Sequence, residues 1–400
     1  MAYSAGRRIL ISGGGVGGLC AALAVRSAGW DVEVHERAID PHREAGTAFN
    51  LWGNAVTALA KVGVADAVRQ VGDPIRQMRL LDHKGRFIAE TPIADIDRRI
   101  GTFSVNIRRS DLTRLLYEAC KDADIPVHLG RAGHGYRIDG NDVILTLDDG
   151  PEIRGAALVG ADGARSAIRS QLVGDGDPIA SSLPVRGISE VDADAPPNTV
   201  LMAWGPRGGG AGCWPLGDGH VSWTVGTNSH LRRKLAGGAD TKGAVLDFLA
   251  GFPSPFRQLV TATPDDRIAA NPVLIRPMPD KNGPDLWGAG PVTLIGDAAH
   301  AMPTVFAQGA CQALEDAAVL GMELADTDDP VAAMRAYERR RKPRMAWLRR
   351  RVFMLDKLQK FESRPLCIAR DSFMRHGPAE KSVRSWEQML TFDFRPAEVA

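Results

Sequence analysis

A glycine-rich turn near the start of the chain constrains the fold more than any other feature of the sequence. Residues 8–12 have the pattern of a short apolar strand, residues 13–18 are Gly-Gly-Gly-Val-Gly-Gly, and a helix of small apolar residues follows. Within this G-x-G-x-x-G spacing, Gly13 permits a tight turn, Gly15 lets a pyrophosphate approach the backbone, and Gly18 allows close helix-to-strand packing. The turn therefore predicts a strand-helix-strand unit of the Rossmann type.

The second strand of this unit ends in a carboxylate. Residues 31–36 alternate like a half-buried strand, and Glu36 closes it about 20 residues after the turn. A carboxylate at this place is positioned to accept a hydrogen bond from a ribose hydroxyl. Turn and acid together predict a dinucleotide-binding domain, but they do not separate FAD from NAD.

A second constellation lies far along the chain, at residues 293–300, which read Thr-Leu-Ile-Gly-Asp-Ala-Ala-His. Asp297 emerges from an apolar strand, where its carboxylate can accept hydrogen bonds from a polyol chain. A helix is predicted to begin at Gly309 and Ala310, and its free N–H groups and positive end would stabilise negative charge on a reduced isoalloxazine ring. Because a simple NAD dehydrogenase has no need of this second site, the pair of constellations favours FAD.

Composition narrows the range of partners. Lys plus Arg (49) nearly balance Asp plus Glu (48), so the net charge of +1 gives no reason to expect a nucleic acid or an anionic membrane as partner. No apolar run approaches the roughly 18 residues that a membrane span needs. The five cysteines are scattered, odd in number and without C-x-x-C spacing, which predicts reduced thiols, no metal site and a cytoplasmic location. We therefore expect a small organic molecule as the ligand.

The pattern of elements predicts two joined domains and a tail. A discontinuous FAD-binding domain is predicted over residues 1–75, 100–170 and 286–330, with helical spacing dominant from about residue 46 to residue 72. A substrate-binding sheet domain is predicted over residues 76–99 and 171–285, where alternating runs are broken by Gly and Pro and the helix signal fades. A C-terminal helical segment is predicted over residues 331–400. The fold class is α/β: a Rossmann-like FAD-binding domain with an inserted, mostly antiparallel β-sheet substrate domain and C-terminal helices.

Three motifs follow one another along the chain: the glycine turn with Glu36-Arg37, Ala161-Asp162-Gly163 with Arg165-Ser166, and Gly296-Asp297-Ala298-Ala299-His300. As an ordered set they resemble the motifs of the class A flavoprotein hydroxylases, a group that includes para-hydroxybenzoate hydroxylase and tetracycline-inactivating monooxygenases. They span residues 9 to about 318, and no motif covers the tail after about residue 340. The resemblance implies FAD as the bound cofactor, NADPH or NADH as a transient electron donor without a domain of its own, and O₂ as co-substrate.

The resemblance also implies roles for individual residues. Glu36 would hold the adenosine ribose, Arg37 would lie beside the adenine half of FAD, and Arg109 would reach the FAD phosphates or the ribityl chain. Asp297 would hold the ribityl chain, and Asp162 is associated with both FAD and the nicotinamide cofactor. The predicted cofactor site is completed by the residues of the two helix starts already described, Gly13, Gly15, Gly18, Gly309 and Ala310.

The sequence says less about the substrate side. Two residues that would flank the ring and the pocket depart from the family pattern: Phe306 stands where a small residue is usual a few positions after the proline, and Cys311 stands where asparagine is common. Our candidates for substrate contact are Phe306 together with Arg186, which would orient an anion or phenolate, and Trp214, on which an aromatic ring would stack. Core packing is the competing interpretation for the tryptophan, and an ion pair is the competing interpretation for the arginine.

Several features have a structural interpretation instead. His300 is expected to be a strand-to-helix residue rather than a catalytic base. The basic stretch at residues 339–351 is expected to form a solvated helix face paired with acids, with steering of the NADPH phosphate as the alternative. Cys311 is expected to be a small buried packing residue rather than a reactive thiol. No catalytic side chain is assigned, because the flavin itself carries the chemistry.

The predicted function is NAD(P)H- and O₂-dependent hydroxylation of a small aromatic or polyketide-like substrate through a flavin C4a-hydroperoxide. Epoxidation, Baeyer–Villiger insertion and N-oxidation stay open, because they differ only in what the pocket presents. A halogenase would be expected to carry Trp-x-Trp-x-x-Pro, which the chain lacks. The rivals from other classes are a nicotinamide-only dehydrogenase and a non-catalytic binding protein that keeps the fold. Substrate identity, NADH versus NADPH, and oligomeric state are not determined by the sequence.

Overall fold

The computed structural model describes residues 7–40, 47–148, 150, 152–278 and 286–392. The predicted boundaries at residues 1, 285 and 400 lie outside these ranges, and so does the end of the predicted C-terminal segment at 393–400. The strands of the described residues are β1 Arg8–Ser12, β2 Asp31–Glu36, β3 Ala48–Leu51, β4 Asp73–Pro74, β5 Gln77–Asp82, β6 Phe87–Thr91, β7 Val105–Arg108, β8 Val127–Leu129, β9 Gly133–Asp139, β10 Asp142–Leu147, β11 Glu152–Gly155, β12 Ala157–Gly160, β13 Ile179–Ser182, β14 Val185–Ser189, β15 Thr199–Trp204, β16 Gly210–Pro215, β17 Val221–Gly226, β18 Ala269–Ala270, β19 Val273–Ile275, β20 Gly288–Ala289 and β21 Val292–Leu294.

The helices of the described residues occur throughout the chain and are densest at its C-terminal end. They are α1 Val16–Ser27, α2 Gly53–Lys61, α3 Ala65–Val71, α4 Ile93–Ile100, α5 Arg109–Asp122, α6 Ala167–Val173, α7 Ser229–Ala236, α8 Thr241–Phe248, α9 Phe256–Ala262, α10 Asp297–His300, α11 Gly309–Ala325, α12 Pro330–Gln359, α13 Arg364–His376 and α14 Ala379–Leu390. None of these helices combines the length and the apolar character that crossing a membrane requires.

A six-stranded sheet in the order β20-β21-β12-β1-β2-β8 forms the first layer. All neighbours from β21 to β8 pair in parallel, and only β20 is antiparallel. The central strand β1 is almost entirely buried, as expected for a parallel strand that is covered on both faces. Helix α1 packs against α5 and α11, while the antiparallel sheet β11-β10-β9 meets β1 through glycines, with Gly155 beside Leu10. The Rossmann-like part of the predicted fold is confirmed.

A seven-stranded sheet in the order β18-β14-β17-β16-β15-β5-β6 forms the second large layer. It is antiparallel except for the pair β15 and β5, which confirms the mostly antiparallel sheet expected from the alternating runs. The fading helix signal over residues 171–285 did not reveal the helices α7, α8 and α9, which all lie there. These helices are only seven or eight residues long, too short to display a clear helical period.

Helices α2 and α3 occupy most of the stretch up to residue 72 in which helical spacing dominates, but strand β3 at its start was not predicted. Strand β3 precedes α2 and forms a three-stranded sheet with β7 and β4. Four residues give too little alternation to stand out beside the longer helical pattern of α2.

The C-terminal helices cover both layers. Helix α12 runs for 30 residues and begins at Asp329, whose carboxylate accepts hydrogen bonds from the N–H groups of Val331 and Ala332 at 2.9 and 3.1 Å. It packs against α11, the edge strand β20 and its neighbour β21, while α13 lies on β6 and α14 lies against α4 and α2. The tail therefore bridges the two large sheets, and the exact domain boundaries stay a prediction.

Candidate functional site

The glycine turn between β1 and α1 has the geometry that its sequence predicts. Gly13 has φ +112°, and a Cβ at this position would overlap the carbonyl group of Ala161. A Cβ at Gly18 would overlap the carbonyl oxygen of Gly13, so helix α1 can approach the turn only without a side chain here. Both positions therefore require glycine for the backbone alone.

Gly15 is different, because nothing in the described part of the chain explains its missing side chain. Its φ of −72° is open to any residue, and a Cβ would meet no atom of the described residues within 4 Å. It lies at the start of α1, where the first N–H groups have no partners inside the helix and the helix dipole is positive. A cradle of this kind fits a pyrophosphate that approaches the backbone closely.

Two carboxylates flank the turn at the carboxyl ends of β2 and β12, the strands on either side of β1. Glu36, at the end of β2, accepts hydrogen bonds from the N–H groups of Gly14 at 2.5 Å and Ala38 at 2.7 Å. Asp162, just after β12, accepts one from the N–H of Ala167 at 2.8 Å, at the start of α6. The other carboxylate oxygen of Asp162 is buried without a partner among the described residues, and burial raises the pKa of this carboxyl. An unused buried acceptor beside the turn fits a ligand hydroxyl.

Asp297 and the start of α11 meet on the other side of the turn. A Cβ at Gly309 would lie 3.8 Å from the Asp297 carboxylate, so the acid faces the first residues of α11. Asp297 is exposed to solvent, yet protein surrounds it in a concave site, and this burial raises its pKa while His300 and Arg109 lower it. A cleft acid beside a helix N-terminus is the arrangement predicted for the ribityl chain and the ring.

Close contacts hold the two halves of this cleft together. The Cβ of Ala313 on α11 lies so near Gly17 and Gly296 that a Cβ would come within 3.0 Å of it at Gly17 and 2.9 Å at Gly296. Arg109 is exposed at the start of α5, and its charge acts on Asp297. Arg37 is exposed just beyond β2, on the side of Glu36. The structure thus brings the predicted cofactor residues to one edge of the sheet, and their individual roles stay predictions.

A buried ion cluster lies directly behind Asp297, and the sequence did not predict it. Asp316 on α11 accepts hydrogen bonds from the N–H of Gly296 at 2.8 Å and pairs with His300 Nε2 at 2.6 Å. Arg341 on α12 donates through Nε to the other oxygen of Asp316 at 2.7 Å and also binds Glu315 at 2.5 Å. His300 therefore has the structural position expected of it.

The expectation of a solvated basic face at residues 339–351 is wrong for two arginines. Arg341 and Arg349 are buried in the described protein, and Arg349 donates to the carbonyl oxygens of Arg276 and Pro277. Arg341 is buried because α12 lies across α11, which presents two adjacent acids to it. A sequence signal did exist: Glu315 and Asp316 lie in a helix made mostly of small and apolar residues, where unpaired acids would be costly.

The substrate-side candidates lie on one face of the seven-stranded sheet. Arg186 on β14 pairs in register with Thr224 on β17, which pairs with Gly212 on β16, and Trp214 lies two residues further along β16. Residues in register share a face, as do residues two apart on one strand. Trp214 packs against the core of the flavin-binding part, so this face is directed towards the cleft. The structure therefore places Arg186 and Trp214 on the same wall.

Two other tryptophans of the same sheet, Trp223 and Trp204, are covered by other parts of the protein. Trp223 is buried on the opposite face of the sheet, where its Nε1 donates to Thr263 at 2.8 Å. Trp204 is buried under the guanidinium of Arg370, which lies 4.4 Å from its ring centre. Both are packing residues, which leaves Trp214 as the exception.

Phe306 lies in the loop between α10 and α11, and aromatic side chains from distant parts of the chain surround it. Its ring lies 5.4 Å from that of Trp386 on α14, and its carbonyl oxygen accepts a hydrogen bond from Trp52 at 2.9 Å. The next residue, Ala307, has φ +52°, a conformation that is strained for a residue with a Cβ. Cys311 is buried, and burial raises its pKa to about 12, so it is a packing residue as expected.

One group of potential metal ligands occurs among the described residues. Glu33, His35 and His128 lie close together on β2 and β8. The two imidazole rings stack at 4.9 Å, and Arg8 lies 3.5 Å from the carboxylate. Charge pairing and stacking account for this group.

Comparison with known proteins agrees with this site. The FAD binding domain family matches residues 7–228 and 277–352, and the chain belongs to this family. The relatives of this chain within the family are oxidoreductases. The chain is 31% identical to an aurachin C monooxygenase/isomerase from Stigmatella aurantiaca, over 92% of this chain and 94% of that protein. It is 34% identical to 3-hydroxybenzoate 6-hydroxylase 1 from Aquipseudomonas alcaligenes, over 84% of this chain and 86% of that protein.

A solved structure of similar fold has the relevant ligands bound. The crystal structure of Klebsiella pneumoniae HpxO complexed with FAD and uric acid matches 97% of this chain and 98% of that chain, with a TM-score of 0.83 and 25% identity. The predicted resemblance to class A flavoprotein hydroxylases is thereby confirmed. The comparisons also confirm FAD as the cofactor and the monooxygenase class of the enzyme. NAD(P)H is the typical electron donor of this class.

Proposed function

We propose that this chain is an NAD(P)H-dependent FAD monooxygenase that hydroxylates a small aromatic or polyketide-like substrate. The substrate would lie between the cleft at Asp297 and the sheet face that carries Arg186 and Trp214. The observation that carries this proposal is the position of Asp297 beside the first residues of α11, opposite the glycine turn of α1. Two helix starts and an acid at one cleft match a dinucleotide with a redox-active ring better than a nicotinamide alone.

The residues would divide the cofactor between them. The open backbone at Gly15 would receive the pyrophosphate, Glu36 the adenosine ribose, and Arg37 the adenine side. Asp162, Arg109 and Asp297 would contact the central part of FAD, and the N–H groups of Gly309 and Ala310 would stabilise negative charge on the reduced ring. When bound, FAD takes electrons from NAD(P)H and activates O₂.

The protein itself must keep water away from the reacting atoms and fix the substrate in place. The loop that carries Phe306 is packed under Trp52 and Trp386, so an apolar lid closes one side of the cleft. Trp214 supplies a flat apolar surface on the other side. No side chain of this chain needs to act as acid or base for the proposal to hold.

Relatives support an aromatic substrate without identifying it. One is named a 3-hydroxybenzoate hydroxylase and another binds uric acid, both of which are small planar molecules. The relative named monooxygenase/isomerase supports a second candidate, in which the same site inserts oxygen by another route such as epoxidation, Baeyer–Villiger insertion or N-oxidation. A cytoplasmic location stays a prediction from the cysteines.

The test is the visible absorption spectrum of the purified protein after reconstitution with FAD. We expect flavin bands that bleach when NADPH or NADH is added without air and return when air is admitted. A panel of hydroxylated aromatic acids and amides should then accelerate the bleaching, and one of them should gain an oxygen atom. A protein that stays colourless with excess FAD would contradict the proposal.

A further inference from the structure

The outer face of helix α12 carries cations and no acid. Arg339, Arg350 and Lys357 are exposed, and they follow one another at about three and two helical turns, so they lie on one side of the helix. None of these three cations has a carboxylate partner in the described part of the chain. The two acids of α12 do not balance them, because Glu338 is buried and Asp356 already has a lysine partner at 2.6 Å.

This local excess of positive charge is not typical of the protein. The whole chain holds 49 Lys and Arg against 48 Asp and Glu, and this balance conceals the excess on α12. On the three-stranded sheet β11-β10-β9, each of the two exposed arginines has a carboxylate partner: Arg137 pairs with Glu152 and Arg154 pairs with Asp142, both at 2.8 Å. The outer face of α12 therefore leaves its charges for an anion from outside the described chain.

Bulky apolar side chains are exposed in the same part of the protein. Ten large hydrophobic residues are exposed among the residues that the structure describes, and four of them lie between the end of α12 and the end of α13: Met354, Leu366, Ile368 and Phe373. Ile368 is 61% exposed and Phe373 is 74% exposed. Single exposed apolar residues are common, but a group of them marks a surface that makes contacts.

Helices α12 and α13 present these side chains on the same side of the protein. Leu355 of α12 and Met374 of α13 pack on one small apolar cluster of the seven-stranded sheet. Helical geometry puts Lys357 opposite Leu355 on α12, and it puts Ile368 about a third of a turn away from Met374 on α13. The cations of one helix and the apolar side chains of the other therefore both point away from this sheet.

We propose that the outer face of α12 and α13 binds the surface of an anionic lipid bilayer. Arg350 and Lys357 contact headgroup phosphates, while Ile368 and Phe373 enter the boundary between headgroups and acyl chains. Such binding is peripheral and needs no helix that spans the bilayer. The inference goes beyond the oxygenation chemistry, because no residue of this face belongs to the cleft described above.

A bilayer fits this face better than a nucleic acid or an acidic protein does. A nucleic acid backbone would pair with the cations but leave Ile368 and Phe373 in water. An acidic protein would need acids and an apolar pocket at matching places, whereas mobile headgroups and acyl chains adapt to protruding side chains. The mixture of unpaired cations and exposed apolar side chains is therefore the observation that favours lipid.

The experiment is co-sedimentation of the FAD-reconstituted whole chain with vesicles. The vesicles consist either of phosphatidylcholine alone or of phosphatidylcholine mixed with phosphatidylglycerol. The charge variant carries Arg350→Glu and Lys357→Glu. Its matched control carries Lys121→Glu and Arg232→Glu, which reverse two exposed cations elsewhere on the protein.

A second pair of variants tests the apolar side chains. The apolar variant carries Ile368→Ser and Phe373→Ser, and its matched control carries Ile138→Ser and Val191→Ser, which change two other exposed apolar residues. All four variants should keep the flavin content and the thermal midpoint of the wild type, because every changed side chain is exposed.

We expect the wild type to bind the mixed vesicles at least about tenfold more tightly than the neutral vesicles, and we expect added salt to weaken this binding. The charge variant should lose roughly ten- to a hundredfold in affinity for the mixed vesicles, and the apolar variant roughly three- to tenfold. Both control variants should bind like the wild type.

A wild type that stays in the supernatant with both kinds of vesicle would overturn the inference, and so would an equal loss in the charge variant and its control. Binding that the apolar variant keeps unchanged would also overturn it, because a purely electrostatic face fits any polyanion. If sedimentation velocity shows a dimer that the apolar variant dissociates, and vesicles bind nothing, the face binds a second copy of the chain and the lipid assignment is wrong. Vesicle binding does not depend on the flavin, so a failure of the proposed function would be seen separately, in the absorption spectrum.

Discussion

The two sides of the cleft treat buried polar groups in opposite ways. Behind Asp297, the cluster of Glu315, Asp316 and Arg341 is fully buried, and each charge has an opposite charge within 2.7 Å. On the sheet face, the guanidinium of Arg186 and the indole N–H of Trp214 have no partner among the described residues. The protein thus supplies partners for its buried polar groups on the Asp297 side of the cleft and leaves two donors on the sheet face without them. A permanent cofactor needs a rigid, finished support, whereas an exchanging substrate can supply the missing partner.

Removing Arg341 should have the largest effect. The change Arg341→Met leaves two buried acids without a counter-ion, and we expect a loss of about 3–5 kcal/mol in the free energy of unfolding. Denaturant unfolding of the apoprotein measures it. Arg350→Met on the same helix changes an exposed arginine and should stay within about 0.5 kcal/mol of the wild type. If both variants are equally stable, the cluster does not support the cofactor side.

The same cluster should make the protein sensitive to acid. Burial raises the pKa values of Glu315 and Asp316, but the charges of Arg344, Arg341 and His300 outweigh it. Both pKa values therefore lie below the ordinary 4.5 and 3.8. Because the unfolded chain then binds protons first, the cluster's stabilisation is present above pH 4.5 and is lost as pH falls through the folded-state values.

Unfolding measured against pH tests this sign. Stability should fall steeply below pH 4.5 in the wild type and less steeply in Arg341→Met. Asp97 acts in the opposite sense at higher pH, because burial raises its pKa to about 6 and its contribution to stability decreases as pH rises from 3.8 to that value. An equal acid slope in both proteins would remove the cluster as the cause.

Gly15→Ala separates folding from cofactor binding. A Cβ at this position meets no atom of the residues that the structure describes within 4 Å, so the apoprotein should lose less than about 1 kcal/mol of stability. The methyl group would instead meet the pyrophosphate, and we expect FAD affinity to fall roughly tenfold or more, measured by flavin fluorescence titration. Gly251→Ala, which also meets nothing within 4 Å but lies in the sheet domain, is the control. Unchanged FAD affinity in Gly15→Ala would show that the phosphate binds elsewhere.

Arg186→Gln should stabilise the free protein or leave it unchanged, in contrast to Arg341→Met. The substitution removes a partly buried charge that has no partner, and we expect a gain of up to about 1 kcal/mol in thermal or denaturant unfolding. A loss larger than about 1 kcal/mol would show that Arg186 is a structural arginine after all, and the contrast between the two sides would disappear.

Ala307→Gly should have the smallest effect. Its φ of +52° is unfavourable for alanine by about 1–2 kcal/mol, and glycine would relieve this strain. Glycine also has more conformational freedom in the unfolded chain, which offsets part of the gain, so we expect a net increase of roughly 0.5 kcal/mol in the free energy of unfolding. Ala332→Gly in the first turn of α12 has no such strain and should lose stability. If both variants lose stability, the loop before α11 is not strained.

The sequence predicted the cofactor side of the fold well, because its signals are local. A strand, a glycine turn and a helix lie next to each other in the chain, and Gly13 and Gly18 are required by contacts within that short stretch. The second constellation is likewise local, with Asp297 and Gly309 only a loop apart.

What the sequence could not supply depends on contacts between distant segments. Arg341 was expected to be solvated, because nothing near it in the chain reveals that Glu315 and Asp316 lie across from it on α11. The absence of a partner for Arg186 depends on the register of β14 with β17, which no single-strand pattern encodes. Contacts between distant segments therefore decide both that Arg341 has partners and that Arg186 has none among the described residues.

The central claim, that this chain is an FAD monooxygenase, is tested most directly by oxygen labelling. The FAD-reconstituted protein is reduced with NADPH or NADH without air in the presence of the tightest-binding aromatic acid, and ¹⁸O₂ is then admitted. The account predicts a product that carries one ¹⁸O atom and forms in proportion to the NAD(P)H consumed. Complete oxidation of NAD(P)H with all of the ¹⁸O in hydrogen peroxide or water, and unlabelled substrate for every acid that binds, would contradict it.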